Sequence, residues 1–313
     1  GFWSTMRGVE SETGSCIGEG FFMIKLIAAD VDGTLLNSHR EISGETCRMI
    51  REVQRQGIRF AIASGRMYRD ICILLQRYGI ECECVTMNGA EYFDAQGNCL
   101  EGIYFSPEKA QEIYERLRGE KNFAVEIYTN HGCYTADSRL KTFRGLMKRA
   151  RTFRPNIGTW KSIFHTLRND HLRKMHYLSD LQELWDRDIQ VAKFITFGDE
   201  VSQIKALRQK VDRIDGVAVS ASFRTNIEIN AAAATKGAIL AKIAARAGLR
   251  EDEVMVVGDG SNDLSMFRAF PTHAAAMANA MPEIRAAAGF ITASNNEDGV
   301  AKAMAKALKI NKG

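Results

Sequence analysis

Ile24-Lys-Leu-Ile-Ala-Ala-Asp30-Val-Asp32-Gly33-Thr34-Leu-Leu36 is an apolar run that stops at a carboxylate. The run is too short for a helix and has the length of a buried strand. Gly33 lets the chain turn sharply and brings backbone N–H groups toward an anion. Three more runs end the same way. Ile58–Ala63 runs into Ser64-Gly65-Arg66, Cys84–Met87 into Asn88-Gly89, and Val254–Val257 into Gly258-Asp259-Gly260-Ser261-Asn262-Asp263. Helices are expected between and after them, at 43–56, 67–77, 235–247, 262–269, 282–288 and 297–308, with short strands near 273–277 and 290–292. Ser43 suits an N-cap and Gly57 a helix stop. The alternation predicts an α/β fold with a doubly wound, Rossmann-like parallel sheet. Such sheets bind ligands beyond the carboxyl ends of their strands, so the four polar clusters should meet on one rim.

The middle of the chain reads differently. Residues 90–104 suggest a hairpin turning at Asp94–Gly97, followed by helices at 107–118 and 138–151. Strands are expected at 123–128, 191–197, 217–221 and 225–230. This mixture predicts an α+β cap domain at 89–231, inserted into a core made of 23–88 and 232–313. Residues 1–22 lack periodicity and signal-peptide character, and are expected to be a non-native or disordered extension before Met23.

Composition narrows the classes. A chain of 313 residues suits two domains, and 45% hydrophobic with 26% charged residues is ordinary for globular proteins. No apolar run is long enough to span a bilayer. A net charge of +4 is too mild to imply nucleic acid. The seven cysteines are irregularly spaced and form no CxxC pair, which suits reduced thiols in the cytoplasm better than zinc. Asp30 does not open a calcium loop, because Leu35 stands where that loop needs glycine. No GxSxG elbow surrounds Ser64, and no GxxxxGK[ST] loop occurs.

The rim residues suggest a chemistry. Asp30, Asp32 and Asp259 would place three carboxyl groups together, and each would raise the pKa of the others. A hard divalent cation relieves that repulsion, and an all-oxygen set suits Mg²⁺. Ser64 offers a hydroxyl and Lys236 an ammonium, completing a clamp for a phosphoryl group. Lys236 opens a predicted helix, where the macrodipole disfavours it, so an anionic partner is expected. Arg66 has two open readings, a substrate contact or an ion pair with a core carboxylate. From Arg139 to Arg168 basic residues recur without Asp or Glu. One reading is a solvated helix face opposite Leu140, Phe143, Met147 and Ala150; the other is attraction of a polyanion. His131, His165, His171 and His176 read as ordinary cap histidines, and Trp160 and Trp185 as packing residues.

The order of the motifs resembles the haloacid dehalogenase superfamily, in its Cof-type branch of subfamily IIB phosphatases. The resemblance spans 23–308 and rests on Asp30-Val-Asp32-Gly-Thr34, Ala63-Ser64-Gly65-Arg66, Lys236-Gly237 and Gly258-Asp259-Gly-Ser-Asn262-Asp263. Met277-Ala-Asn279-Ala280 and Ser294–Val300 also look like that branch. Val31, the stretch Asn230–Thr235 and Phe270–His273 depart from its usual pattern. The resemblance implies Asp30 as nucleophile and Asp32 as general acid and base. It implies Mg²⁺ on Asp30, the Asp32 carbonyl and Asp259, with Asp263 orienting the metal shell or Lys236. Ser64 and Lys236 would hold the phosphoryl group, with Gly33, Thr34, Gly65, Arg66, Asn88 and Asn262 around it. The substrate would be a small phosphorylated metabolite, a sugar phosphate first, with neither nucleic acid nor membrane as partner, and the protein a monomer or homodimer. A phosphomutase and a non-catalytic phospho-accepting or metabolite-binding protein are the alternatives.

Overall fold

The leading apolar run becomes β1 (Leu26–Ala29), a strand with every side chain buried. In the computed structural model, which describes residues 23–120, 122–153 and 173–312, β1 lies inside the larger of two sheets. Its parallel neighbours are β2 (Arg59–Ala63) and β12 (Val254–Gly258), with Leu26 opposite Arg59 and Val254. Beyond β12 come β13 (Ala274–Ala276) and β14 (Phe290–Ile291), both parallel. Beyond β2 comes β3 (Glu83–Thr86), also parallel. Helices flank these strands as expected. The Ser43 hydroxyl accepts from Thr46 N at 3.0 Å and opens the helix Gly44–Arg55, which buries Cys47, Met49, Ile50 and Val53. Gly57 follows it in the left-handed region at φ 81°.

The hairpin corrects one boundary. The sequence reading places 89–231 in the inserted unit, but β4 (Glu91–Phe93) and β5 (Cys99–Gly102) extend the larger sheet antiparallel, with β5 at its edge. Met87, Asn88 and Gly89 all have positive φ, and this turn folds the chain back along β3.

The smaller sheet has the order β10-β11-β9-β6-β7-β8. Its strands are β6 (Glu126–Thr129), β7 (Cys133–Thr135), β8 (His176–Tyr177), β9 (Val191–Phe197), β10 (Val217–Ser220) and β11 (Asn226–Ala231). Helices Pro107–Arg118, Arg139–Phe153 and Val201–Val211 belong to this unit. β7, β8 and Val201–Val211 have no counterpart in the sequence reading. A third apolar cluster, including Met67, Met87, Ala90, Ile195, Phe197 and Ala234, joins the two sheets.

The basic helix also differs from expectation. Leu140 is exposed, whereas Leu146 and Ala150 are buried. Arg149 reaches the buried Glu126 at 2.6 Å, and Lys148 and Arg151 both face Asp199. Gly145 sets this phase, since a Cβ there would lie 2.4 Å from the Ala124 Cβ. Trp185 packs against the smaller unit's core. Residues 1–22, Arg154, Trp160, Lys161, His165, Arg168 and His171 lie outside the described residues. No helix among the described residues is long and apolar enough to cross a membrane.

Candidate active site

The four polar clusters do meet at the carboxyl ends of β1, β2, β3 and β12. Asp30, Asp32, Gly65, Arg66, Asp259 and Asn262 line one cleft of about 530 Å³, together with Lys193, Ser222 and Glu228 from the smaller sheet's side. That size suits a small metabolite.

Lys236 anchors the floor. It opens the helix Lys236–Arg246, whose N-cap Thr235 accepts from Ala238 N at 3.2 Å. Its ammonium is fully buried and lies 2.6 Å from Asp30 Oδ1 and 2.6 Å from Asp263 Oδ1. Burial works against that charge, but Asp263 and Asp30 outweigh it and raise the lysine above its ordinary value. Burial pushes the Asp30 carboxyl well above the carboxylate range; Lys236 opposes the shift, and Asp263 and Asp259 add to it. Burial and then the Asp263 charge push Asp259 up to about 7, against the Thr34 hydroxyl that donates to it at 2.7 Å.

Carboxylate oxygens of Asp30, Asp259 and Asp263 lie within 4.8 Å of one another. Oxygen donors this close, with two of them raised by mutual repulsion and burial, fit a hard divalent cation. Asp263, expected among the metal ligands or as the group that orients them or Lys236, is one of these three carboxylates. Its Oδ1 already takes Lys236, and its Oδ2 accepts from Asp259 N and Gly260 N at 2.9 Å each. It therefore fixes Lys236 and the loop after β12. The Asp32 carboxylate is not one of these three. Arg66 grips it with two bonds of 2.7 and 2.6 Å, the ion-pair geometry of the second reading, and also lines the cleft.

The remaining expected residues hold the loops. Gly33 sits at φ 80°, and a Cβ there would fall 2.3 Å from Asp259 Oδ2, so only glycine fits. Asn279 donates to the Gly33 carbonyl at 2.8 Å, and Asn295 to the Leu36 carbonyl at 2.9 Å. The two accessory stretches thus brace the first motif. Ser64 is buried, and its hydroxyl accepts from Arg66 N at 3.2 Å. Asn262 donates to Asn88 Oδ1 at 3.2 Å, linking the loops after β12 and β3. The sequence reading missed Lys193, Ser222 and Glu228, which approach from the smaller sheet. A sequence signal did exist: Lys193 is the one charged residue in the apolar stretch Val191–Phe197.

The family model described as haloacid dehalogenase-like hydrolase matches residues 27–304. The chain is 28% identical to the phosphatase YwpJ of Bacillus subtilis, over 90% of this chain and 99% of that protein. It is 31% identical to the 5-amino-6-(5-phospho-D-ribitylamino)uracil phosphatase YcsE of Bacillus subtilis, over 90% of this chain and 94% of that protein. A solved structure of a haloacid dehalogenase-like hydrolase from B. subtilis superposes with a TM-score of 0.79 at 28% identity, covering 90% of this chain and 99% of that one.

Proposed function

Because this chain belongs to the haloacid dehalogenase-like hydrolase family and is a phosphatase, we propose that it cleaves a small phosphorylated metabolite through an aspartyl-phosphate. The observation that carries this reading is Asp30 itself. It is a buried carboxylate at the end of β1, held by Lys236 at 2.6 Å and opening onto the cleft. In this reading an Asp30 oxygen forms a bond to phosphorus as the ester P–O bond breaks. Asp32 gives its proton to the leaving oxygen, then takes one from the water that attacks phosphorus. Phosphate leaves and the Asp30 carboxylate is restored. Arg66 orients Asp32 throughout. Lys236 and the Ser64 hydroxyl hold the transferring group, with Thr34, Gly33, Gly65, Asn88 and Asn262 keeping the loops around it. Asp30, Asp259 and the Asp32 carbonyl would hold Mg²⁺, which supplies positive charge against the phosphoryl oxygens.

The substrate proposal is a sugar phosphate or a related phosphorylated polyol. The name of the B. subtilis relative YcsE supports the second group, since it specifies a phosphoribityl chain. The described cysteines carry free thiols, as a reducing compartment keeps them, and the proposal places the enzyme in the cytosol.

The test is phosphate release from a panel of sugar phosphates and phosphoribityl compounds, with Mg²⁺ or with EDTA. Release should require the metal and fall by about 10³-fold or more in Asp30→Asn, with the circular dichroism spectrum unchanged. Wild-type turnover by Asp30→Asn would sink the mechanism, and release undiminished in EDTA would remove the cation.

A further inference from the structure

We propose that the buried Lys193–Glu228 ion pair of the smaller sheet positions the two phosphate-side loops of the larger sheet for turnover. The inference rests on the phosphatase site above and adds two positioning residues to it.

Lys193 lies on β9 and Glu228 on β11. Asn230 is directly opposite Lys193, so Glu228 is its diagonal neighbour on the same sheet face. Each side chain is only 2% exposed, and Lys193 Nζ lies 2.9 Å from Glu228 Oε2. Two charges out of water are tolerated when their remaining bonds are satisfied. Here the bonds reach across to the other sheet. Lys193 donates to the Gly65 carbonyl at 2.8 Å, and Glu228 Oε2 accepts from Asn88 Nδ2 at 2.6 Å. Glu228 Oε1 accepts from Asn226 at 3.1 Å and from the Ser222 hydroxyl.

Gly65 and Asn88 belong to the loops after β2 and β3. Gly65 sits between Ser64 and Arg66, and Asn88 N donates to the Ser64 carbonyl at 2.9 Å. Through Asn88 Oδ1 the grip extends to Asn262, in the loop after β12. One ion pair therefore touches both loops, and a third is one hydrogen bond away. Gly65 is shaped for this approach, since a Cβ there would stand 2.9 Å from Asn88 Oδ1 and 3.3 Å from Glu228 Oε2.

Adhesion alone does not account for the pair. The apolar cluster of Met67, Met87, Ala90, Ile195, Phe197 and Ala234 already joins the sheets. Apolar residues of the same size would hold them as well, because a buried pair gains little over a packed isostere. What an ion pair adds is direction: it fixes where the Gly65 carbonyl and the Asn88 amide stand. Ser64, Arg66 and Asn262 are set by those two groups. A misplacement of about 1 Å at such loops costs about 100-fold in rate.

The experiment compares wild type, Lys193→Met, Glu228→Gln and the double variant, with Asp30→Asn alongside. Hydrolysis of p-nitrophenyl phosphate gives kcat and KM, orthovanadate gives an inhibition constant, and thermal unfolding reports the fold. The expected result is a fall in kcat of about 10- to 100-fold, an equal weakening of vanadate inhibition, and a KM within about threefold of wild type. The double variant should lose no more than the worse single one, as groups acting as a unit do. A lower melting temperature with kcat and vanadate inhibition unchanged would overturn the proposal, leaving the pair a structural tie. Losses that multiply in the double variant would overturn it too. If Lys193→Met does not fold, Glu228→Gln carries the test, since it keeps the shape and removes only the charge. Inactive Asp30→Asn beside fully active pair variants defeats this inference alone; active Asp30→Asn defeats the site reading, and the inference with it.

Discussion

Two lysines are buried around one site, and they are held in opposite ways. Lys236 faces two carboxylates, Asp30 and Asp263, both from the larger sheet's part of the chain. Lys193 faces one carboxylate of its own sheet, Glu228, and a carbonyl of the other, Gly65. The first arrangement controls charge, because one cation stands against two acids that repel each other. The second balances its charge locally and spends its spare hydrogen bond on geometry. Lys236 stabilises the reacting groups, whereas Lys193 places the loops that surround them.

Lys236→Met should have the largest effect. It leaves Asp30 and Asp263 buried without their cation, so denaturant unfolding should show a loss of about 3–5 kcal/mol and phosphate release should vanish. A variant as stable as wild type would mean that Lys236 does not control the charge of the floor. Asp263→Asn should act more mildly. Lys236 keeps Asp30, and the amide oxygen can still accept from the loop after β12, so a loss of about 1–3 kcal/mol is expected in the same measurement.

The mildest effect belongs to Glu228. Burial would raise its carboxyl, but Lys193, Ser222 and Asn88 outweigh that and hold it at about 2, against an ordinary 4.5. A depressed carboxylate contributes stability above its unfolded value and loses it as pH falls toward the folded one. Wild type should therefore lose about 1–2 kcal/mol more than Glu228→Gln between about pH 5 and about pH 3. Parallel unfolding curves for the two proteins across that range would show that the Lys193 side is not charge-balanced as described.

The larger sheet was legible because its strands announce themselves. β1, β2 and β12 are apolar runs that stop at Asp30, Ser64 and just before Asp259, and a parallel sheet must bring such ends together. Lys236 was legible for the same kind of reason, as a cation at a helix start that needs an anion. Three features escaped. Nothing within 90–104 says which sheet its hairpin joins; that depends on the positive φ values at Met87, Asn88 and Gly89. Helical spacing puts Leu140, Phe143, Met147 and Ala150 on the buried face of the basic helix, whereas its contact is set by Gly145 against Ala124, which carries Arg149 inward. Lys193 and Glu228 look like surface residues, because a charge inside a strand normally marks the solvent face. Their mutual pairing, with the bonds to Gly65, Asn88, Asn226 and Ser222, takes both out of water.

The order of strands in the larger sheet has a consequence for synthesis. β1 leaves the ribosome well before one of its two partners, β12, although Leu26 pairs with Val254. All strands of the smaller sheet, β6 to β11, emerge between them. The nascent chain therefore completes the inserted sheet while β1 still has one bare edge. Parallel pairing across a long separation is slow, since the loop must close before contacts reward it. A finished insert shortens that loop. Asn230 Nδ2 donates to the Met87 carbonyl at 2.9 Å, so the insert's exit is tied to the chain that leads into it. Once folded, the cap acts as a splint, shortening the stretch of chain that must close to bring β12 to the edge of β1.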